Sequence, residues 1–311
     1  MTWPEAGHKL EKMSPKKARV VEIHSAGVIS DGRINRAHAA KMIEAGLDIL
    51  SPTGSAWDIV DEVFPGGIGL GIKVNSLAGR MMSTSPEVAY AVADVLHKFG
   101  HKKRKVINWD RREAELKRAG FKISTSGDDF QCFATDSAGV GFARELYQHG
   151  SIGSMISRIQ AEMADAMINV AVLKDHSLAG LSGCLKNYFG VIHNPNKYHQ
   201  DMCSPFLADL YSLDVVRGRQ KLAVFDALRV QINGGPGYVA RWVIEYGSIL
   251  LSSDAVALDT VGTRIIDNLR TKAGMSVLRD SGREPIGIKV AGEYGLGCAV
   301  LDDIEWITQT V

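Results

Sequence analysis

Cysteine is scarce in this chain of 311 residues: four stand at positions 132, 184, 203 and 298, and no two form a CxxC pair. That spacing writes neither a zinc knuckle nor a ferredoxin-type iron-sulfur cluster, and the four read as buried thiols. An excess of charge is missing too, with 36 Lys and Arg against 35 Asp and Glu. The basic residues are scattered and form no stripe, so no nucleic-acid partner is expected. No apolar run approaches the roughly 20 residues of a membrane span, so no membrane partner is expected either. The opening stretch MTWPEAGHKLEKMSPKKARV lacks the apolar centre of a secretory leader. As given, the chain is expected in the cytoplasm, or outside it if a leader was removed before residue 1.

Two nucleotide and hydrolase signatures are also lacking. In GLGIKV, from Gly69, the glycines precede and enter a strand, whereas a dinucleotide fingerprint places them after one. The tetrad Ser182, Gly183, Cys184, Leu185 lacks the strand-to-nucleophile turn of a hydrolase elbow, and Cys184 reads as a structural residue within a helix.

What is present is a globular composition, 45% apolar and 23% charged, enough for a full core. Residues 1–18 read as a flexible lead-in, and 19–311 as one α/β domain, or two α/β lobes with a cleft between them. Short apolar runs at 20–23, 68–74, 105–109, 121–124, 131–134, 167–173, 222–225 and 248–251 read as strands. Helical periodicity marks 35–50, 55–64, 86–99, 111–119, 153–163 and 204–211, and a helix opening at Asp254. Strands alternating with helices predict a mostly parallel sheet with helices on both faces.

The organising stretch is AMINVAVLKDHSLAGLSGCLKNYFGVIHNPNKYHQ, residues 166–200. A strand buried on both faces is expected to end at Lys174, Asp175 and His176. A helix capped by Ser177 or Asp175 is then expected to carry Leu178, Leu181, Leu185 and Phe189 on its buried face. Gly183 and Gly190 within it predict something packed closely beside Lys186.

Polar residues follow several apolar runs: Lys73 with Asn75, Asp110, Thr135 with Asp136, Lys174 with His176, Asp226, and Ser253 with Asp254. In a parallel sheet such ends converge on one edge, where ligands of open α/β sheets bind. Lys73, Lys174 and Lys186 would make that edge cationic and suited to a carboxylate or phosphate. Asp110, Asp226 and Asp254 balance them or hold a divalent cation through oxygen. Buried lysines need carboxylate partners or an anion nearby. His176, His193 and His199 exchange protons near neutral pH and are the candidate transition-metal ligands. His193 and His199, six apart around Pro195, match no compact zinc pattern. The run GGPGY, from Gly234, either presents amides to an anion or turns the chain.

The segments GIKVN, SPEVAYAV, INVAVLKDHSLAGLSGCLKNYFG, VFDAL before GGPG, LLSSDAVALD and EYGLG together resemble the domain of unknown function family 362, over about 20–302. Members often carry a ferredoxin-like segment or an export leader. The resemblance implies that Lys73, Asn75, Lys174, His176, Lys186, Asn187, Asp226, Asp254 and Asp259 are recurrent positions. The leading expectation is an enzyme of unassigned reaction on a small anionic ligand. Lys73, Lys174 and Lys186 would bind that ligand together with Asn75, Asn187, Asp110, Asp136, Asp226 and Asp254. His176 is the first choice for acid or base, with His193 or His199 second. The alternatives are a metal-binding or redox-accessory protein without turnover, and a ligand-binding sensor or scaffold. The pattern leaves the cofactor and the oligomeric state open.

Overall fold

The computed structural model describes residues 18–311, so the lead-in expected over 1–18 lies, but for its last residue, outside the described residues. Eight strands form the body of one sheet: β1 (Ala18–His24), β2 (Leu70–Val74), β3 (Val106–Asp110), β4 (Gln131–Ala134), β5 (Ala166–His176), β6 (Gln220–Gln231), β7 (Val243–Ser252) and β8 (Ile304–Thr310). Their order is β8-β1-β7-β6-β5-β2-β3-β4. Only β7 runs against its neighbours among these eight, pairing antiparallel with β1 and β6; the other pairs are parallel. Every residue of β2, β3 and β5 is buried, as expected of parallel strands covered on both faces.

Four helices cover one face: α1 (Arg36–Leu50), α2 (Ala56–Val63), α3 (Pro86–Lys98) and α4 (Glu113–Ala119). The opposite face carries α5 (Cys184–Asn187), α6 (Phe206–Tyr211), α7 (Asp214–Arg217), α8 (Ala255–Lys272) and α9 (Ile286–Glu293). The caps explain where the long helices begin. Asn35 accepts a hydrogen bond from the His38 amide at α1, and Pro86 supplies the pre-set φ of the first position of α3. Gly46 lets α1 press onto β7, because a Cβ there would stand 2.4 Å from Leu251 Cδ1.

Several expected elements are corrected. Residues 177–183 are not helical: the chain turns at Gly180 (φ 75°), Gly180 and Leu181 pair back onto His176 and Asp175, and the helix begins only at Cys184. Leu178 is 46% exposed, so its helical spacing with Leu181 was coincidental. The expected helix over 153–163 is a hairpin, Tyr147–His149 with Ile152–Ser154, followed by a π-helical turn at Ile159–Met163. Ile152, Ile156 and Ile159 are all buried and mimic helical spacing without a helix. At 121–124 there is no strand; Ser124 alone bridges to Cys132. β5 runs on through Lys174 to His176, and β6 through Asp226 to Gln231, so these polar residues lie within strands.

The reversed strand β7 also moves Asp254 away from the other strand ends. Its carboxylate caps α8 at the opposite edge of the sheet, accepting from Val256 and Ala257 amides at 2.9 Å through one oxygen and from the Cys298 amide at 2.8 Å through the other. Asp254→Ala is therefore expected to cost about 1–2 kcal/mol of stability in urea unfolding. Ligand affinity at the far edge should stay unchanged; a loss of binding without a loss of stability would contradict this placement.

Candidate functional site

The carboxyl ends of β2, β3 and β5 open onto a cleft of about 250 Å³, lined by Lys73, Asn75, Asp110, His176, Lys186, Asn187 and His199 among others. Lys73, next to last in β2, lies beside Trp109 of β3, which brings its Nζ 2.7 Å from Asp110 Oδ1. The same ammonium donates to the Val74 carbonyl at 2.7 Å and to Asn187 Oδ1 at 3.1 Å. Asp110 accepts further from the Arg111 amide and from the amide and hydroxyl of Ser76. Gly190 is required against this pair, since a Cβ would stand 2.8 Å from Lys73 Nζ and 2.9 Å from Asp110 Oδ1. Asn187 passes the network inward to Asn169, which donates to the Cys184 carbonyl and fixes the start of α5. Asp259 holds the same turn from α8, accepting the Cys184 and Leu185 amides, and burial pushes its carboxyl up to about 7.

Among the described residues Lys174 has no carboxylate hydrogen-bonded to it. Its Nζ donates to the Met82 carbonyl at 2.9 Å and to Asn75 Oδ1 at 3.3 Å, tying β5 to the loop between β2 and α3. Burial pushes this ammonium down to about 7, partly offset by Asp175 and Asp110. It supports the cleft from beneath and is not among the residues lining it.

His176 Nδ1 accepts the Leu178 and Ala179 amides, both at 3.1 Å, so the neutral ring carries its proton on Nε2. Burial, then the neighbouring Lys186, His199 and Lys174, push its pKa down to about 3. The ring stacks on His199 with centroids 6.2 Å apart. His199 donates from Nδ1 to the Pro195 carbonyl at 2.9 Å, which leaves Nε2 as an acceptor 3.2 Å from Lys186 Nζ. Lys186 also lies 4.1 Å over the Phe189 ring, and burial pushes it down to about 8. The closeness expected beside Lys186 is thus real: Gly190 meets the Lys73–Asp110 pair, and Gly183 meets Asp259.

The rim comes from the segment joining β3 to α4. Arg111 and Arg112 line the cleft, and among the described residues neither guanidinium makes a hydrogen bond or ion pair. Partial burial, then Arg112, lowers the pKa of Arg111. Glu115 lines the same wall, its pKa raised by burial and then by Asp110. Sequence reasoning passed over these three because the amphipathic pattern of 111–119 accounted for them. The signal available was the Arg-Arg pair directly after a buried strand. Ser182 and Phe189 also line the cleft, and the helix-like spacing of 178–189 hides both in the sequence.

The remaining candidates lie elsewhere. His193 is exposed and edges onto Phe142, 5.2 Å between centroids. Asp136 is exposed and accepts the Glu113 amide at the start of α4. Asp226 is buried on the α3 side, where it accepts the Ser85 and Leu228 amides and is pushed up by burial. Asp254 is the cap of α8 described above. Asp175 faces away, bound to Arg283 at 2.8 Å and to the Gly235 amide, so the GGPG run turns the chain against it; Pro236 alone of that run reaches the cleft. Among the described residues no three His, Cys, Asp or Glu side chains group as metal ligands. No helix there is long and apolar enough to cross a membrane.

No curated protein matches the chain. A buried strand ending in Lys174 and His176, the Lys186-Asn187 turn beneath it and the Lys73 strand beside it all fall within residues 71–264, which match the model of a family described as a domain of unknown function. That span is well over half of the 311 residues, and the chain belongs to the DUF362 family.

Proposed function

We propose that the chain is an enzyme that binds a small carboxylate or phosphate in the cleft at the ends of β2, β3 and β5. The observation carrying this reading is the pair Arg111 and Arg112, whose guanidinium groups make no hydrogen bond or ion pair among the described residues, although Glu115 and Asp110 line the same cleft, beside a hollow already holding Lys186. Guanidinium forks match carboxylate and phosphate oxygens, and a low-dielectric wall strengthens the attraction. A volume of about 250 Å³ fits a ligand of few heavy atoms.

The roles expected of the lysines and histidines divide under this reading. Lys73 and Asp110 neutralise each other and orient Asn187, while Lys174 anchors the loop carrying Asn75. His176 serves as a neutral donor through Nε2, since its other nitrogen is tied to the backbone. Lys186 and His199 are the groups left to exchange a proton.

Calorimetric titration with inorganic phosphate and a series of short carboxylates tests the reading. Arg111→Ala is expected to weaken binding of the preferred anion at least tenfold, in line with the roughly 1.5–3 kcal/mol of a hydrogen bond to a charged group. If no anion binds, or if Arg111→Ala with Arg112→Ala binds as the parent does, the reading fails. Product detected by mass spectrometry separates an enzyme from a sensor. Stoichiometric metal that is lost on His199→Ala would favour the metal-handling alternative.

A further inference from the structure

We infer that Lys186 is a nucleophile that forms an imine with a small 2-oxo acid, whose carboxylate is held at Arg111 and Arg112. This deepens the anion-binding reading and rests on it.

The buried lysines Lys73 and Lys174 and the half-buried Lys186 differ in what surrounds each Nζ. Lys73 spends all three protons on Asp110, Val74 and Asn187, and Lys174 lies beneath the cleft on two neutral acceptors. Lys186 lines the cleft with, among the described residues, one hydrogen-bonding neighbour, His199 Nε2 at 3.2 Å, and the face of Phe189 at 4.1 Å. Removal from water with no carboxylate bonded to it among the described residues makes this ammonium shed its proton more readily than one in solvent, an effect that the Phe189 face and the His199 lone pair offset only in part. Burial holding Lys186 near 8 agrees, leaving about a tenth as free amine at pH 7. The His199 lone pair faces Lys186 because its Nδ1 proton is fixed on Pro195.

The chemistry balances without redox change. The free amine of Lys186 adds to the keto carbon, the carbon–oxygen π bond breaks, and the oxygen gains one proton from nitrogen through His199. The carbinolamine then expels that oxygen as water with the second nitrogen proton, leaving a carbon–nitrogen double bond. His176, with Nε2–H its only free donor, hydrogen-bonds the carbonyl oxygen and gives up no proton.

The test incubates the full chain with glyoxylate, pyruvate or 2-oxobutanoate and sodium borohydride, followed by intact mass and peptide mapping. A single adduct at Lys186, suppressed at least tenfold by inorganic phosphate and absent from both Lys186→Arg and Lys186→Met, is expected. Adducts scattered over surface lysines, or equal labelling of either variant, overturn it. Should phosphate bind in calorimetry while no oxo acid is trapped, the imine falls and the anion site stands. Should neither bind, both fall.

Discussion

Replacing Asp110 with alanine is expected to lower the free energy of unfolding by about 3–5 kcal/mol, the usual cost of stripping one partner from a buried ion pair. The side chain of Lys73 is 1% exposed and that of Asp110 8%. Without the carboxylate, the ammonium keeps only the Val74 carbonyl and Asn187 Oδ1, and the Ser76 and Arg111 amides lose their acceptor. With Lys73 only 1% exposed, its ammonium regains little water beyond what the cleft admits. Lys73→Met combined with Asp110→Leu should cost much less than Asp110→Ala alone, since no charge is then left unpaired. Urea unfolding at pH 7 followed by circular dichroism measures both. A loss below about 1 kcal/mol for Asp110→Ala would mean that the pair behaves as a solvated surface bridge.

The elements legible in the sequence were those whose signals are local. Asn35 and Pro86 mark helix starts, and largely apolar runs mark β2 and β5 as interior strands. The segment 177–191 was illegible because Leu178, Leu181 and Leu185 imitate a helical stripe while Gly180 adopts a left-handed turn. β6 was cut short for a related reason: Asp226 looked like a strand end, yet it is buried within the strand as the acceptor for the Ser85 amide just ahead of α3. Strand direction is not written in a strand's own residues. The reversal of β7, which carries Asp254 to the far edge, depends on its partners β1 and β6. Of the residues lining the cleft, Lys73, Asp110, His176 and Lys186 stand out one by one in the sequence. Their pairing does not, because Lys73 meets Asp110 only through the register of two parallel strands. The histidine roles needed the backbone as well, since the amides of Leu178 and Ala179 decide which nitrogen of His176 is free.

Stability of the parent chain should rise between pH 7 and about 10.5 relative to Lys174→Met, by on the order of 3–5 kcal/mol for a shift of this size. The sign follows from proton counts. Below pH 7 Lys174 is charged in both folded and unfolded chains, so the full cost of burying an ammonium is present. From pH 7 upward the folded chain has released the proton while the unfolded chain still binds it, and stability climbs with pH. Above the unfolded value both forms are neutral and the gain stops. Methionine keeps the length and apolar character of the buried stem and removes the titration, so the effects of groups not coupled to Lys174 cancel in the difference. The hydrogen bonds to Met82 and Asn75 do not reverse this sign, because a neutral amine still has two protons to donate to its two acceptors. The loop joining β2 to α3 is therefore held to β5 on both sides of the titration, and Asn75 keeps its place at the cleft. Urea midpoints for the two chains at half-unit steps from pH 6 to 10.5 provide the measurement. Parallel curves would mean that Lys174 titrates as an exposed lysine and does not stand buried on neutral acceptors beneath the site.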